Sequence, residues 1–473
     1  MSAALILAAG EGTRMKSDLP KVVHPVLGVP MIVLVVGVAR EAGLEPVVVT
    51  GHEAEKVEAL LEGVRCVRQP EQLGTGHAVM CARAALDGVS GSLVVLAGDT
   101  PLLRAETLRA IVEARESSGA ACVLLTAVAE DPSGYGRIIR ADDGSVRAIV
   151  EQKDLAPGQE AIREVNTGTY CFDAQALLSR LERLDRDNAQ GEYYLTDMVE
   201  HMVEEGLSVL AHTVEDASET MGVNTRVQLA EATAVLQRRI NTDLMLAGVT
   251  MTAPGLVWVS PGVSVGRDVV LEPMTFLAGS TVVEDGAHVG PNCRIVDSRV
   301  GERARVDSSV VLGAEVGPDA NVGPMAYLRP GTVLGEGAKA GTFVEMKKTI
   351  VGDGSKVPHL SYMGDASIGK AVNVGAGSIT CNYDGFSKHG TTIGDGAFIG
   401  SDTMFVAPVT VGPGAVIGAG SVITEDVPEG ALGVARQKQR NVSGWAEKWR
   451  QRLEASRRDR SSGSSTEESR QDG

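Results

Sequence analysis

The sequence lacks the features of several protein classes. Its six cysteines are dispersed and never form a C-x-x-C pair, which argues against a disulfide framework or a structural zinc site. The net charge is −17, so the chain lacks the positive charge that binding to nucleic acid or to an anionic membrane requires. No apolar run can span a bilayer, because the longest, 25–39, is too short and contains Pro30. The first residues also lack the basic region of a signal peptide, and we predict a cytoplasmic protein without nucleic-acid or membrane partners.

Aromatic residues are scarce as well, whereas glycine is abundant. Aromatics make up 3% of the chain, and the 56 glycines among 473 residues exceed the average share of about 7%. Because no collagen-like triplet is present, these glycines must serve turns that repeat at another period. The length predicts two to four domains, and 43% hydrophobic residues suffice for their cores.

The first 225 residues alternate strand-like and helix-like segments. Short β-branched runs predict buried strands at 4–8, 46–50, 93–97 and 122–127. Amphipathic segments between them predict helices at 31–42, 54–61, 78–86 and 105–117. This alternation predicts a Rossmann-like α/β domain over 1–225 with a largely parallel sheet, whose ligands bind at the carboxyl ends of the strands.

The second half follows a different period. Residues 226–248 contain apolar positions at helical spacing and predict a linker helix. From 249 onward, aliphatic residues recur at every sixth position. The longest such series comprises Ile393, Ile399, Phe405, Val411, Ile417 and Ile423. Hexapeptide repeats of this kind predict a parallel β-helix, here over 249–455, in which register breaks are projecting loops. The Ser-rich, Glu-rich and Arg-rich segment 456–473 is predicted to be a disordered tail.

A glycine-rich loop, LAAGEGTRMKSDLPK at 7–21, follows the first predicted strand. Gly10 and Gly12 let the backbone approach phosphate oxygens closely, and Arg14 and Lys21 supply the charge that a triphosphate demands. The loop is not a P-loop, because it lacks the Gly-Lys-Ser/Thr sequence. It also departs from the dinucleotide-binding pattern, which has a third glycine where this chain has Met15.

This loop resembles the signature of sugar-phosphate nucleotidyltransferases. Further segments match in order, namely QPEQLGTGHA, AGDTPLL, GYGRI, IVEQKD, EVNTG and GVNTR. Together with the hexapeptide half, they resemble the bifunctional family that combines N-acetylglucosamine-1-phosphate uridylyltransferase with glucosamine-1-phosphate acetyltransferase. The resemblance implies a Rossmann-like domain followed by a left-handed β-helix, a homotrimer formed through that β-helix, and a role in bacterial cell-wall synthesis.

The resemblance also implies residue roles in the first half. Asp99 and Asn224 are expected to hold Mg²⁺, since a carboxylate and an amide leave coordination positions for water and phosphate. On residue type alone, Asp99 can equally be a helix N-cap before Pro101, and Asn224 can be a plain turn residue. The expected nucleotide-binding and sugar-binding residues are Leu7, Ala8, Ala9, Gly10, Arg14, Lys21, Gln69, Gly74, Thr75, Gly136, Glu151, Asn166 and Asn224.

In the β-helix, the resemblance identifies His359 as the base that deprotonates the amine acceptor, a task that suits the pKa of histidine. The expected residues for the acceptor are Arg329, Lys347, Tyr362 and Asn373. Those expected for acetyl-CoA are Ala376, Asn382, Tyr383, Ser401, Ala419 and Arg436. By residue type alone, the cations can form a solvated basic face and the alanines can simply pack the coil. Cys381 is interpreted as a small buried residue, because direct acetyl transfer needs no thiol.

These expectations combine into one hypothesis with two alternatives. The β-helix would acetylate glucosamine-1-phosphate with acetyl-CoA, and the first domain would join the resulting N-acetylglucosamine-1-phosphate to UTP. A nucleotidyltransferase with a non-catalytic β-helix scaffold is the first alternative, and a non-enzymatic nucleotide-sugar sensor is the second.

Overall fold

The computed structural model describes residues 2–464 and the side chains of residues 2–458. The first half contains eleven strands. They are β1 (Ala3–Ala8), β2 (Pro25–Val26), β3 (Val29–Pro30), β4 (Glu45–Thr50), β5 (Arg65–Arg68), β6 (Ser92–Ala97), β7 (Cys122–Val128), β8 (Arg137–Arg140), β9 (Val146–Val150), β10 (Glu164–Asp173) and β11 (Val209–Thr213). Its helices are α1 (Met31–Glu41), α2 (Ala54–Glu58), α3 (Thr75–Ala82), α4 (Ala105–Ser118), α5 (Ala174–Leu178) and α6 (Asp197–Glu204).

Nearly all of these strands form one mixed sheet. Its order is β11-β7-β10-β6-β1-β4-β5, with β8 and β9 paired at the side of β10, while β2 and β3 form a separate hairpin. Strands β4, β1 and β6 are parallel, and β10 runs antiparallel between β6 and β7. The predicted Rossmann-like fold is confirmed, and each of the four predicted strands begins within one residue of its observed start.

Helices cover both faces of this sheet. Side chains of β1 alternate between the two faces, with Ala4 and Ile6 in the core beneath α1 and α4, and Ala3 and Leu5 in the core beneath α3 and α6. Alternation of this kind follows from the two-residue period of a strand. The result is a three-layer domain whose strand ends are left open for a ligand.

A long helix, α7 (Arg226–Leu246), connects the two halves. It begins at a capping box, in which the Thr225 side chain accepts from the Gln228 backbone and the Gln228 side chain accepts from the Thr225 backbone. Further along, the Gln237 and Asn241 side chains donate to the Val257 carbonyl at 2.7 and 2.8 Å. The linker helix predicted at 226–248 is therefore present, and it is bonded to the start of the second domain.

The second domain is a parallel β-helix with three faces of 11, 10 and 9 strands. The first face comprises Thr250–Met251, Val270–Leu271, His288–Val289, Arg305–Val306, Asn321–Val322, Lys339–Thr342, Lys356–His359, Asn373–Val374, Phe398–Ile399, Val416–Ile417 and Leu432–Gly433. The second face comprises Val257–Val259, Thr275–Ala278, Arg294–Val296, Val310–Leu312, Tyr327–Leu328, Glu345–Lys347, Tyr362–Gly364, Ile379–Cys381, Met404–Val406 and Val422–Ile423. The third comprises Ser264–Val265, Val282–Val283, Arg299–Val300, Glu315–Val316, Val333–Leu334, Ile350–Val351, Ala366–Ile368, Thr391–Ile393 and Val409–Val411.

The hexapeptide period corresponds to the interior of this β-helix. All six residues of the longest predicted series, five aliphatic and one phenylalanine, are at most 4% exposed, and each lies in the single core of the coil. The register break between Ile379 and Ile393 is a loop, 382–390, that separates the second and third faces. Both predictions are confirmed, and they agree with the left-handed β-helix that the resemblance implies.

The C-terminal boundary of the sequence prediction is wrong. The last strand of the β-helix ends at Gly433, and a helix, α8 (Trp445–Ser464), extends into the segment that was predicted to be disordered from 456. Up to residue 458, α8 consists mostly of good helix formers and contains no proline, and the Trp445 and Trp449 rings stack one turn apart at 5.9 Å. Residues 465–473 of the predicted tail lie outside the described residues. Within 2–464, every helix is too short or too polar to cross a membrane.

The β-helix core generates a stability prediction. We expect Ile393→Ala to lower the free energy of unfolding by about 2–5 kcal/mol, because the substitution leaves a cavity in a packed column. Its neighbour Thr392 points outward, and we expect Thr392→Ala to change stability by no more than about 0.5 kcal/mol. Urea denaturation followed by circular dichroism measures both. Equal effects of the two substitutions would contradict the assignment of Ile393 to the core.

Candidate active sites

A cavity of about 450 Å³ opens at the carboxyl ends of β1 and β6. The residues that line it come from seven separate segments of the chain. They are Leu7, Ala8, Ala9, Gly10, Lys21, Val22, Gln69, Gln72, Gly74, Thr75, Ala78, Ala97, Asp99, Glu151, Asn166, Gly168, Tyr170, Glu192, Leu195 and Thr196. Eleven of them were predicted from the sequence. Of the remaining predicted residues of this half, Gly136 and Asn224 contact residues of the lining, and Arg14 donates to Asn224.

Lys21 lies at the centre of a polar cluster at one end of the cavity. Its ammonium group forms an ion pair with Asp99 and donates to Asn224 Oδ1 at 2.8 Å, and Arg14 donates to the same oxygen at 2.8 Å. The glycine-rich loop makes this placement possible. Gly12 has φ +66°, and a Cβ there would lie 2.5 Å from the Lys21 Cβ, so any larger residue would displace the lysine.

Backbone contacts bring Asp99 and Asn224 together across the sequence. The Val223 amide donates to the Asp99 carbonyl at 2.9 Å, and the Asn224 amide donates to Gln228 Oε1 of the α7 capping box at 2.9 Å. The two side chains present one carboxylate and one amide oxygen to the same region. This donor set fits Mg²⁺, which takes few protein ligands and completes its shell with water and phosphate. Among the side chains of residues 2–458, no group of three or more His, Cys, Asp and Glu has the arrangement of a metal site.

Another part of the cavity lining surrounds Gln69, which is 4% exposed. Its side-chain Nε2 lies 3.1 Å from the Gly74 carbonyl and 3.0 Å from His77 Nδ1. Gly74 has φ +105°, and a Cβ there would lie 2.6 Å from the Tyr193 carbonyl. The GTG sequence therefore requires its first glycine so that segment 191–196 can pack against the loop.

A bulge in β10 positions the residues expected to bind the sugar. The register of β10 against β7 shifts between Asn166 and Tyr170, and the Asn166 side chain donates to the Tyr170 hydroxyl at 2.7 Å. The Asn166 amide donates to the Gly136 carbonyl at 2.8 Å. A Cβ on Gly136 would lie 3.5 Å from both Glu151 Oε1 and Asn166 Cβ. The three predicted sugar residues are thus immediate neighbours.

One part of the cavity wall was not predicted from the sequence. It is formed by Gln72, Gly168, Tyr170 and segment 192–196. One signal was available, because Tyr193 and Tyr194 are adjacent in a chain with only seven tyrosines.

Several carboxyl groups lie close together near this part of the cavity wall. Burial raises the pKa of Glu151, and burial together with Asp185 and Glu151 raises the pKa of Asp197 to about 6.

The second predicted site lies on the second face of the β-helix. Tyr327, Glu345 and Tyr362 occupy the same register in successive coils, so their side chains stack in one column. Arg329 donates to Glu345 Oε1 at 2.9 Å. A Cβ on Gly364 would lie 2.4 Å from the Tyr362 hydroxyl and 2.6 Å from Asn382 Nδ2, which shows how closely these predicted residues converge.

Basic residues crowd together beside this column. The pKa of Lys347 is lowered, chiefly by the adjacent Lys388 side chain, and the charge of Arg329 adds to the effect. Asp365 opposes it and accepts a hydrogen bond from Asn382 Nδ2 at 2.6 Å. Lys388 was not predicted, because it lies in the loop outside the hexapeptide register. Such a cluster of cations favours a bound anion, which would relieve the repulsion.

Four predicted residues line the edge between the first and second faces. Backbone bonds connect their coils, from Gly377 to the His359 carbonyl at 3.4 Å, from Asp402 to Ala376 at 2.7 Å and from Gly420 to Ser401 at 2.8 Å. His359, Ala376, Ser401 and Ala419 therefore occupy successive coils and span about 14 Å. Arg436 follows Ala435, whose carbonyl accepts from Val422 at 3.2 Å, so it lies one level further along. The His359 side chain is exposed.

The loop at 382–390 has a fixed internal structure. Asp384 accepts hydrogen bonds from the Phe386 and Ser387 amides and from His389 at 2.7–2.8 Å, and these donors lower its pKa. Tyr383 is exposed on this loop. Cys381, at its base, is also exposed. Its interpretation as a buried residue is wrong, because Thr380 and Asn382 turn inward at this point of the coil instead.

The raised pKa of Asp197 predicts a pH-dependent stability. The unfolded carboxyl loses its proton near pH 4 and the folded one near pH 6, so stability falls as the pH rises through that window. We expect Asp197→Asn to stabilise the protein by about 1–2 kcal/mol at pH 8, after a discount for partial exposure, and by much less at pH 4. Glu204→Gln, an exposed change at the other end of the same helix, should change stability by no more than about 0.5 kcal/mol at either pH. Denaturation midpoints from pH 4 to pH 8 measure this, and an equal gain at both ends would contradict it.

Comparison with known proteins agrees with this architecture. The family model described as MobA-like NTP transferase domain matches residues 4–203. The model described as bacterial transferase hexapeptide (six repeats) matches residues 390–425. The two matches fall on the two halves of the chain, each of which contains one of the sites described above.

Relatives that match nearly the whole chain share one name. The bifunctional protein GlmU of Heliobacterium modesticaldum is 54% identical over 92% of this chain and 95% of its own length. Those of Streptomyces avermitilis and Listeria monocytogenes are 51% and 48% identical, over 94% of this chain in each case and 94% and 97% of their own lengths. Identity at this level, over both the Rossmann-like half and the β-helix, shows that the chain belongs to the bifunctional GlmU family.

Proposed function

We propose that the chain makes UDP-N-acetylglucosamine in two steps, at the two sites described above. As a member of the bifunctional family, it is both a nucleotidyltransferase and an acetyltransferase. One observation supports this assignment of the sites. The residues predicted for uridylyl transfer lie around the cavity of the first half, and those predicted for acetyl transfer lie on the β-helix. The proposed substrates are glucosamine-1-phosphate and acetyl-CoA in the β-helix, and N-acetylglucosamine-1-phosphate and UTP in the cavity.

Acetyl transfer uses His359 as the general base. Glucosamine-1-phosphate binds with its phosphate on Lys347, Lys388 and Arg329, whose crowded charges a phosphate neutralises. His359 removes a proton from the ammonium group, and the free amine attacks the thioester carbonyl of acetyl-CoA. The C–N bond forms, the C–S bond breaks, and the second proton that the nitrogen loses goes to the sulfur, so coenzyme A leaves as the thiol.

The edge between the first and second faces suits the arm of coenzyme A. Ala376 and Ala419 are small, so an extended chain can lie along successive coils toward His359. Arg436, one level beyond, can meet a phosphate of the cofactor. This arrangement supports the acetyltransferase assignment over the alternative of a non-catalytic scaffold, which requires neither the exposed histidine nor the stacked small residues.

Uridylyl transfer occurs in the cavity of the first domain. A phosphate oxygen of N-acetylglucosamine-1-phosphate attacks the α-phosphorus of UTP, the bond to the β-phosphate breaks, and pyrophosphate leaves. Lys21 and Arg14 neutralise the charge of the triphosphate, Gln69 binds the base, and Glu151 and Asn166 orient the sugar. Mg²⁺, which Asp99 and Asn224 would hold, supplies further charge neutralisation at the phosphates.

Two substitutions test the separation of the sites. We expect His359→Ala to slow acetyl transfer by about 10²–10⁴ while uridylyl transfer from N-acetylglucosamine-1-phosphate persists. Asp99→Ala should stop uridylyl transfer and leave acetyl transfer intact, and EDTA should act in the same way. Coenzyme A thiol release and pyrophosphate release measure the two steps. If folded His359→Ala protein loses both activities or neither, the assignment of His359 is wrong.

We also propose a homotrimer assembled through the edge between the first and second faces. Three apolar side chains in successive coils of that edge, Met325, Phe343 and Leu360, are 59–63% exposed. Each of the three residues also has a positive φ, a backbone conformation that costs energy for a large side chain. Exposed apolar side chains that are held in this way on neighbouring coils indicate an interaction surface. Because the edge continues into His359, the acetyl-transfer site would lie beside a neighbouring subunit.

The six free thiols support the proposed cytoplasmic location.

Sedimentation equilibrium tests the assembly. We expect three chain masses for the unaltered protein. Phe343→Asp should dissociate it at micromolar concentration, because a carboxylate would be buried in the interface, and should lower acetyl transfer while uridylyl transfer persists. Val227→Asp, at an exposed position of α7, is the matched control and should leave the trimer intact. A monomeric unaltered protein would contradict the proposal.

A further inference from the structure

Asp365 and Asn382 meet at the corner between the second and third faces of the β-helix. Asn382 is 7% exposed, and its side-chain Nδ2 donates to Asp365 Oδ2 at 2.6 Å. An ionised carboxylate only accepts hydrogen bonds, so the amide must present its nitrogen there. This contact therefore fixes which way the Asn382 amide is turned.

Backbone hydrogen bonds hold both residues in place. The Asp365 amide donates to the Lys347 carbonyl of the preceding coil at 2.9 Å. The Asn382 amide donates to the Thr380 carbonyl, and the Asn382 carbonyl accepts from the His389 amide, both at 2.9 Å. Asp365 has φ +49°, a conformation that aspartate adopts more readily than most residues do. The two backbones are therefore held at a fixed separation.

Asn382 keeps one oxygen that it can offer to a ligand. Within residues 2–458, no side chain or backbone group donates to Asn382 Oδ1. The oxygen also reaches the surface, unlike the enclosed Oδ1 of Asn241. Donation by the amide to a carboxylate shifts electron density toward this oxygen, which makes it a stronger acceptor.

The neighbouring cations indicate which ligand group meets this oxygen. Lys347 and Gly364 are paired in adjacent coils, and such strands lie about 4.8 Å apart. A Cβ on Gly364 would lie 2.6 Å from Asn382 Nδ2, so the amide lies over this glycine. A phosphate bound at Lys347 therefore places the group on the neighbouring sugar carbon close to Asn382. In glucosamine-1-phosphate that group is an ammonium, which only donates hydrogen bonds.

We infer that Asp365 is a positioning residue for the amino-sugar acceptor: it turns the Asn382 amide so that Oδ1 faces the nitrogen of the sugar. The inference rests on the proposed acetyl transfer and adds the residue that sets how the acceptor is held. Without the carboxylate, the amide could turn over and present its N–H groups, which would repel an ammonium. Asp365 acts through Asn382, because its carboxylate is directed at that amide.

Two substitutions at Asp365 test the inference. Asp365→Gly removes the carboxylate without strain, because glycine adopts positive φ readily. We expect it to raise the KM for glucosamine-1-phosphate by about tenfold or more, the effect of losing a hydrogen bond to a charged group. Its kcat should stay within about threefold and its KM for acetyl-CoA within about twofold. Asp365→Asn keeps an oxygen that accepts from Asn382, so it should hold the KM for glucosamine-1-phosphate within about threefold. Release of the coenzyme A thiol measures all of these values.

Asp297→Gly is the matched control. Asp297 occupies the same corner four coils earlier, about 19 Å away, with the same φ of +49°, and it accepts from the Ser280 amide at 3.0 Å. We expect this substitution to change neither KM. An equal effect of Asp297→Gly, or an unchanged KM in Asp365→Gly, would overturn the inference. So would Asp365→Asn with the same loss as Asp365→Gly, because the hydrogen-bond acceptor would then be irrelevant.

A double-mutant cycle separates a positioning role from direct contact with the substrate. In an Asn382→Ala background, we expect Asp365→Gly to raise the KM for glucosamine-1-phosphate by less than about twofold more, because no amide remains to be turned. A further tenfold rise would show that Asp365 acts without Asn382 and would overturn the inference. If the unaltered protein transfers no acetyl group to glucosamine-1-phosphate, the proposed acetyl transfer fails instead, so the two failures are distinguishable.

Discussion

Both sites depend on the fixed register between parallel neighbouring strands. In the first domain, hydrogen bonding of β1 to β4 and β6 brings the ends of the three strands to one edge of the sheet. In the β-helix, the same kind of bonding sets each residue above its counterpart one coil earlier. Residues distant in sequence, such as His359 and Ala419, thereby align along one edge without any direct side-chain contact. In both halves, strand register therefore aligns the site residues more exactly than loops alone could, because loops vary more than the strands that support them.

Glycine is the residue that makes close approach possible in both sites. A Cβ on Gly12 would meet Lys21, and one on Gly364 would meet Tyr362 and Asn382. Each of these contacts involves a side chain assigned to substrate binding. The abundance of glycine thus reflects more than the corners of the coil, because several glycines provide the space into which functional side chains fit.

The long helix α7 contributes to one site while it connects the two domains. Its capping box holds the Asn224 backbone, and further along it is bonded to the first coil of the β-helix through Gln237. Asn224 and the start of the β-helix are therefore attached to one helix. Such an element gives the domains a defined relation, although the two proposed reactions remain chemically independent.

The sequence by itself determined the two architectures, because each of its periods matches one regular backbone geometry. Alternating strand and helix periods are typical of the α/β domain, and the six-residue period is typical of the β-helix. It also located the glycine-rich loop and, through family motifs, most of the residues around the cavity. Only the tertiary structure decided which of these residues are neighbours, since the Asp99–Val223 bond and the Lys347–Lys388 pair join segments with no local signal. Lys388 and the exposure of Cys381 were beyond the sequence for the same reason. The periodicity of a segment indicates which of its side chains face the core, whereas a site is formed by side chains and loops that lie outside the core.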